Sequence, residues 1–429
     1  MQDAGEELNF SKGLRELPRK VDKQTLLIGF GIFGLALVVR LLYLWGSSAN
    51  PFFLNPIVDS ASYVNAAGKL AAGDRLSSRF LFQPFFYPFF LSAVFWFTNS
   101  SIICAKVIQV LVGAGTCVLT FLLGKKVFGR KVGIIAGFIT AFYGPLIFFE
   151  AELLATGWAA FWSVVLILLF LKCSSKKSTL LCVWLGVCTG LSILTRPTFV
   201  IFAVAGVLWL AIVFYLAGDG LHRFILRVCA IAFGFLLVVI PVGIVNFRLS
   251  GRFAILPYSG GLNFYVGNNP NYAKTITARP GPEWEQIISM PIRSGISSDP
   301  WERQKFFRQK VIEYVISEPF DFAKGLLHKT IEFLSSREIP RNIDIYFFRR
   351  WSELLSLSTW KLAGFGFPFG VILPLALLGL VSYRRQLPVP ILLFLIFYPL
   401  SIILVFVAGR YRVPIIPVMS VLAGAGFLK

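Results

Sequence analysis

Apolar residues along this chain come in long runs, with the polar residues gathered between them. Ten runs reach or approach the roughly 20 apolar residues that an α-helix needs to cross a bilayer. They are 24–45, 102–123, 132–149, 153–171, 179–195, 197–217, 224–246, 364–382, 389–408 and 411–428. An eleventh stretch, 84–99, is shorter and opens Pro84-Phe85-Phe86-Tyr87-Pro88. Two long polar segments stand out, 47–101 and 247–363. The Gly/Pro/Asn-rich part of the second, Ser259-Gly260-Gly261 through Pro282, reads as turns. From Pro300 to about Ser336 it reads as amphipathic helix, because Phe306, Phe307, Val311, Tyr314 and Val315 recur at helical spacing.

The pattern predicts an all-α polytopic membrane protein with about 10 transmembrane helices. Interfacial helices are expected in the first outer loop, and a small, mostly helical subdomain in the second. The chain then divides into 1–246 (an N-terminal transmembrane catalytic module carrying loop 47–101), an outer subdomain 247–363, and C-terminal transmembrane helices 364–429. There is no internal repeat and no low-complexity tract.

Composition agrees. The 429 residues are 56% hydrophobic and only 14% charged, where a soluble protein is about 25% charged. The mean hydropathy of +0.74 excludes an ordinary soluble enzyme. Cysteine adds little: Cys104, Cys117, Cys173, Cys182, Cys188 and Cys229 lie in or beside apolar runs, with no C-x-x-C pair. The first 23 residues are polar and a full-length span follows, the pattern expected without a cleavable signal peptide.

The net charge of +20 would suggest nucleic acid on a soluble protein. Here it marks topology, and no nucleic acid is expected as a partner. Four short loops carry Lys125, Lys126, Arg130 and Lys131; Lys172, Lys176 and Lys177; Arg223 and Arg227; and Arg384 and Arg385, against the single acid Asp219. The positive-inside bias puts all four in the cytoplasm. Segment 84–99 decides the rest. If it does not cross, the N-terminal segment with Lys12, Arg15, Arg19, Lys20 and Lys23 is cytoplasmic too, which is the preferred reading. It then lies along the outer surface or re-enters.

Charges near the membrane are expensive and usually functional. Asp59 follows the first span in Val58-Asp59-Ser60-Ala61-Ser62-Tyr63. It reads either as a catalytic acid or as the N-cap of a helix. Glu150 and Glu152 sit at the outer end of the third span with no basic neighbour in sequence. They either face a partner or cap the next helix. Arg196, Arg410 and Arg412 run against the positive-inside bias. They either snorkel to headgroups or clamp a substrate phosphate. Arg40 is a further charge, inside the first span. Lys69, Arg75, Arg79 and Lys106 add outer positive charge, though each reads more simply as a solvated residue. His222 and His328 have no second ligand at metal spacing. A Mg²⁺ or Mn²⁺ held between Asp59 and a glutamate remains an open option.

The order of these features resembles the polytopic glycosyltransferases of the C-type fold, and within them the protein O-mannosyltransferase/aminoarabinose transferase (family-39-like) superfamily. The resemblance spans nearly the whole chain. It rests on Asp59-x-x-x-Tyr63, Gln83-Pro-Phe-Phe-Tyr87-Pro88, Gly124-Lys-Lys-Val-Phe-Gly129-Arg130, Phe149-Glu150-Ala-Glu152-Leu-Leu, Leu191-Ser-Ile-Leu-Thr-Arg196-Pro197 and Arg410-Tyr-Arg412-x-Pro414. It implies transfer of a hexose or pentose from a polyprenyl-phosphate (undecaprenyl phosphate) donor to a lipid, glycan or protein acceptor. The reaction would run on the periplasmic face of the inner membrane, usually with inversion. Asp59 would match the general base and Glu150 or Glu152 the second acidic position. Tyr63 and Tyr87 would belong to the substrate site, and Arg410, Arg412 and Arg196 to the donor phosphate. Gln83 departs from relatives that carry a Lys there. Two rivals stand beside this: a transporter with coupling acids, and a ligase moving a whole lipid-linked glycan.

Overall fold

A computed structural model describes residues 22–74, 76 and 78–429 of the chain. Lys12, Arg15, Arg19, Lys20 and Arg75 lie outside the described residues, as does the side chain of Arg79.

The first part of the chain forms α1 (Lys23–Gly46), α2 (Val58–Ala71), α3 (Phe86–Thr98), α4 (Ile102–Phe128), α5 (Arg130–Phe142), α6 (Gly144–Ala151), α7 (Thr156–Lys176), α8 (Thr179–Thr195), α9 (Val200–Leu216) and α10 (Leu221–Ser250). The polar segment holds α11 (Gly260–Gly267), α12 (Tyr272–Thr277), α13 (Pro282–Ile288), α14 (Met290–Arg293), α15 (Pro300–Ser317), α16 (Pro319–Leu334), α17 (Ile345–Phe348) and α18 (Glu353–Ser358). A short antiparallel hairpin of β1 (Trp360–Leu362) and β2 (Phe365–Phe367) leads into α19 (Phe369–Tyr383), α20 (Val389–Ile403), α21 (Gly409–Arg412) and α22 (Ile416–Phe427).

The protein is an all-α polytopic membrane protein, and each of the ten apolar runs falls on one or two of these helices. Among the described residues five stretches are long and apolar enough to cross alone: α1, α4, α7, Pro197–Leu216 and α10. Helices α3, α8, α19 and α20 are apolar but shorter. The faces of α9 and α10 carry Leu208, Ile212, Phe233 and Leu237 well exposed, which suits hydrocarbon and not water. The centre of the bundle is α22. Every residue from Ile416 to Gly426 is buried, against α4, α5, α7 and α19. The stretch bears no charge, and its small residues (Ser420, Ala423, Gly424, Ala425) let neighbouring backbones come close.

The run 132–149 is not one straight helix. It breaks by 54° between α5 and α6, because Pro145 at the start of α6 has no N–H to continue the α5 ladder. The bend turns Glu150 and Glu152 into the protein. Segment 84–99 yields the 13-residue α3, about 20 Å long and short of the roughly 30 Å hydrocarbon core. It packs on α2.

The Gly-rich stretch after Ser259 is a correction. It is largely helical, as α11 and α12. Its glycines serve close packing: a side chain at Gly261 would meet the Gln304 carbonyl, and one at Gly267 the Val405 carbonyl. Leu262 and Val266 of α11 cluster with Phe306 and Phe307 of α15. The amphipathic stretch 300–336 is two helices, split at Glu318-Pro319, where the residue before proline is driven from helical geometry.

Candidate active site

Asp59 sits in the first turn of α2, directly after Val58, whose φ is +53°. A β-branched residue rarely adopts that conformation, so the chain here is held by its surroundings. Asp59 does not cap its helix: the N-cap residue is Ile57, with no side-chain cap bond. The Asp59 carboxylate points away from the helix axis. Its Oδ2 accepts from Arg410 Nη1 and, at 3.0 Å, from Asn342 Nδ2. The two side chains of the Asp59–Arg410 pair keep 28% and 14% of their surface exposed.

The pair opens on a cavity of about 530 Å³, lined also by Tyr63, Gln83, Arg196, Arg341, Asn342 and Tyr411. Three arginines converge there. Arg410 and Arg196 both lie over the Tyr411 ring, at 5.1 and 4.8 Å from its centre. Arg196 donates to the Arg410 carbonyl (3.2 Å) and the Thr156 hydroxyl (2.6 Å). Arg341 lies over Phe406 at 4.8 Å and donates to the Ile276 carbonyl. Aromatic stacking of this kind fixes a guanidinium without using its donors. Asp59 is the only acid lining the cavity among the described residues, so the site carries net positive charge. Burial pushes the Asp59 carboxyl up, but Arg410, Asn342 and Arg341 outweigh it and hold it below the usual carboxylate range. Burial, with the nearby Asp59 charge, raises the Tyr63 phenol.

The structure thus brings together Asp59, Tyr63, Arg196 and Arg410. It does not bring Glu150, Glu152, Tyr87 or Arg412 to the cavity wall. Glu150 is fully buried and its Oε2 is 2.6 Å from Arg40 Nε. Room for the carboxylate comes from Gly113, where any side chain would strike it. Glu152 is buried too, with Lys106 as its charged neighbour. Lys106 is correspondingly not a solvated residue: it is buried and donates to the Ala151 carbonyl at 2.8 Å. Tyr87 is buried, donating to Gln109 (2.7 Å). Gln109 in turn donates to the Glu150 and Glu152 carbonyls at 2.6 and 2.8 Å. Tyr87 stacks on the cavity residue Tyr63, edge to face at 4.9 Å. Arg412 pairs with Glu338 at 2.9 Å and donates to the Arg337 carbonyl at 3.0 Å, tying α21 to the outer segment.

The donor set does not fit the Mg²⁺ or Mn²⁺ considered above. Asp59 and the glutamates do not share the cavity, and no group of three or more His, Cys, Asp and Glu side chains occurs among the described residues. Sequence reasoning also missed Arg341 and Asn342. They stand in an unremarkable polar loop, 283 positions from Asp59 in the case of Asn342.

No family model and no curated protein matches the sequence. Among solved structures the chain is similar to the archaeal oligosaccharyltransferase AglB from Archaeoglobus fulgidus, in complex with an inhibitory peptide and a dolichol-phosphate. The TM-score is 0.53 and the identity 14%, over 95% of this chain and 50% of that one. The chain therefore spans about half the length of that structure. It is also matched to ArnT from Cupriavidus metallidurans bound to undecaprenyl phosphate, at a TM-score of 0.38 and 13% identity, over 94% of this chain and 77% of that one. The first shows the fold alone, which this chain shares with half of that structure.

Proposed function

We propose that this protein transfers a sugar from a polyprenyl-phosphate donor to an acceptor hydroxyl on a lipid, glycan or protein, with Asp59 as general base. The cavity carries this reading: one carboxylate and three aromatic-stacked or hydrogen-bonded arginines line the same space. A hydroxyl is a weak nucleophile, so a carboxylate must take its proton as oxygen attacks the anomeric carbon. The bond from that carbon to the phosphate oxygen breaks in the same step, and the configuration inverts. The departing lipid phosphate gains charge, which preorganised guanidiniums stabilise. Arg410 has both duties in reach. It pairs with Asp59, and an arriving phosphate competes for it, freeing the carboxylate to accept a proton. Tyr63 and Gln83 would contact sugar or acceptor. The positive-inside bias of the basic loops supports a cavity on the outer, periplasmic side of the inner membrane. The division into a catalytic module 1–246, an outer segment 247–363 and closing helices 364–429 fits a site to which all three contribute.

Support from outside the chain is the AglB complex, which holds a dolichol-phosphate. AglB is an oligosaccharyltransferase, so transfer of a whole glycan is the second reading. Product mass separates a single sugar from a ladder. The test uses purified protein in vesicles with a panel of radiolabelled polyprenyl-phosphate hexoses and pentoses. Asp59→Asn is expected to lower transfer about 10²- to 10⁴-fold, with polyprenyl-phosphate binding retained by native mass spectrometry. Transfer at the wild-type rate would remove Asp59 as the base.

A further inference from the structure

The outer segment carries an apolar helix edge that the proposed chemistry does not use. In α16, Phe320, Ala323, Leu327, Ile331 and Leu334 recur at steps of three and four, so they share one edge of the helix. All five are exposed. Phe320 is the most exposed large apolar side chain among the described residues, at 90%. Leu327 and Ile331, each 61% exposed, match Leu208 and Leu237 on the spans α9 and α10, at 60% and 58%. Ile312 and Ile316 carry the row back into α15. Single apolar residues on a surface are ordinary, but a row along a whole helix marks a contact.

The remaining faces of α16 fix its position. One is sealed against the outer end of α20, where Lys329 and Phe333 are buried. Lys329 Nζ donates to Asn268 Oδ1 at 2.7 Å and to the Val405 carbonyl, just past α20, at 3.3 Å. Asn268 Nδ2 in turn donates to the Leu404 carbonyl at 2.9 Å. Arg412 donates to the Phe333 carbonyl at 3.3 Å. A second edge is polar and carries Asp321, His328 and Glu332. Glu332 accepts from the Tyr272 hydroxyl at 3.0 Å and lies 3.4 Å from His328. The third edge is the apolar row. Helix α20 exposes Ile396 and Leu400 along its own length, so the bonds to Leu404 and Val405 hold α16 where that apolar surface ends. A helix of about 24 Å with one face sealed, one edge polar and one edge apolar has the character of an interfacial helix.

We propose that α16 lies on the bilayer on the cavity side of the membrane, with Phe320, Leu327, Ile331 and Leu334 among the acyl chains of the leaflet beside α20. The occupant of the row is lipid hydrocarbon. A second copy of the chain fits it less well, because a row one side chain wide falls short of the roughly 800 Å² that each partner gives to a stable interface. This surface is independent of the glycosyl-transfer reading.

The test uses the full chain in phosphatidylcholine vesicles, with the photoreactive residue p-benzoylphenylalanine placed at position 320, 327 or 328. Leu327 and His328 are neighbours and are exposed alike, at 61% and 60%, so they differ chiefly in the edge they occupy. After irradiation, lipid adducts measured by peptide mass are expected at 320 and 327 at least fivefold above those at 328. Equal adducts at 327 and 328 overturn the docking. Covalent dimers formed from 320 or 327 in place of lipid adducts also overturn it and assign the row to a second copy. A second measurement is amide hydrogen exchange over residues 319–334 in the same vesicles. In Phe320→Ser/Leu327→Ser/Ile331→Ser it is expected to quicken about tenfold or more, because three apolar side chains leave hydrocarbon. His328→Ser should exchange like the wild type. Unchanged exchange in the triple variant overturns the proposal.

Discussion

Asp59–Arg410 and Arg40–Glu150 are both acid–arginine pairs joining distant parts of the chain, and they live in opposite surroundings. The first borders a cavity, and its carboxylate retains 28% of its surface. The second is fully buried on both sides. Arg412–Glu338 belongs with the second, at 2% and 5% exposure. An acid near the membrane edge can thus be a reactive group or an internal tie, and only its access to open space separates the two. Burying both charges takes several kcal/mol of desolvation per ion, which good geometry must offset. A tie has that geometry at all times, whereas a catalytic pair must be able to exchange its partner.

The largest expected effect follows from the sealed pairs. Glu150→Gln, Arg40→Met and Arg412→Met each leave one charge buried alone, and each is expected to lose about 3–5 kcal/mol of stability. Arg40→Met/Glu150→Leu together should regain most of the loss. Asp59→Asn and Arg410→Gln should shift stability by about 1 kcal/mol or less, since their pair is partly solvated. Denaturation in detergent, read as double-mutant cycles, checks this. If Asp59→Asn unfolds the protein as readily as Glu150→Gln, the two classes of pair collapse into one.

A smaller effect separates the two arginines of Arg410-Tyr411-Arg412. Arg410→Ala should weaken polyprenyl-phosphate binding by about 1.5–3 kcal/mol, the value of a hydrogen bond to a charged group. Arg412→Lys keeps the charge beside Glu338 and should leave binding near wild type. Retention of polyprenyl phosphate by native mass spectrometry measures both. Equal losses would mean that Arg412 also reaches the phosphate.

Much of the fold was legible because spanning a bilayer requires about 20 apolar residues whatever the tertiary context. Asp59, Arg196 and Arg410 were legible as charges out of place. What could not be read was which acid belonged to which arginine. Arg40 and Glu150 were each conspicuous, as a charge within a span and an acid lacking a sequence neighbour. Their pairing depends on α6 folding under α1, 110 positions away. The glycines after Ser259 misled for a related reason. Glycine marks a turn and a close helix contact equally well, and only the neighbouring backbone decides. Arg341 and Asn342 had no local signal at all, since an ordinary polar loop carries them into the cavity.

The smallest effect is in the pH dependence. Free aspartate titrates near about 3.9, and Asp59 is held lower, chiefly by Arg410 against the opposing effect of burial. A carboxyl depressed on folding stabilises the protein above its unfolded value, and that contribution is lost as pH falls through the folded value. The wild type should therefore lose more stability than Asp59→Asn between pH 5 and the acid limit, by the difference this one group makes. In transfer assays the acid limb should lie below the ordinary carboxylate range, and Arg410→Gln should move it upward. Glu150→Asp serves as the contrast, because a carboxylate sealed from the cavity should leave the limb unmoved in whatever fraction folds. A limb that follows Glu150 and ignores Asp59 would reverse the assignment of reactive acid and tie.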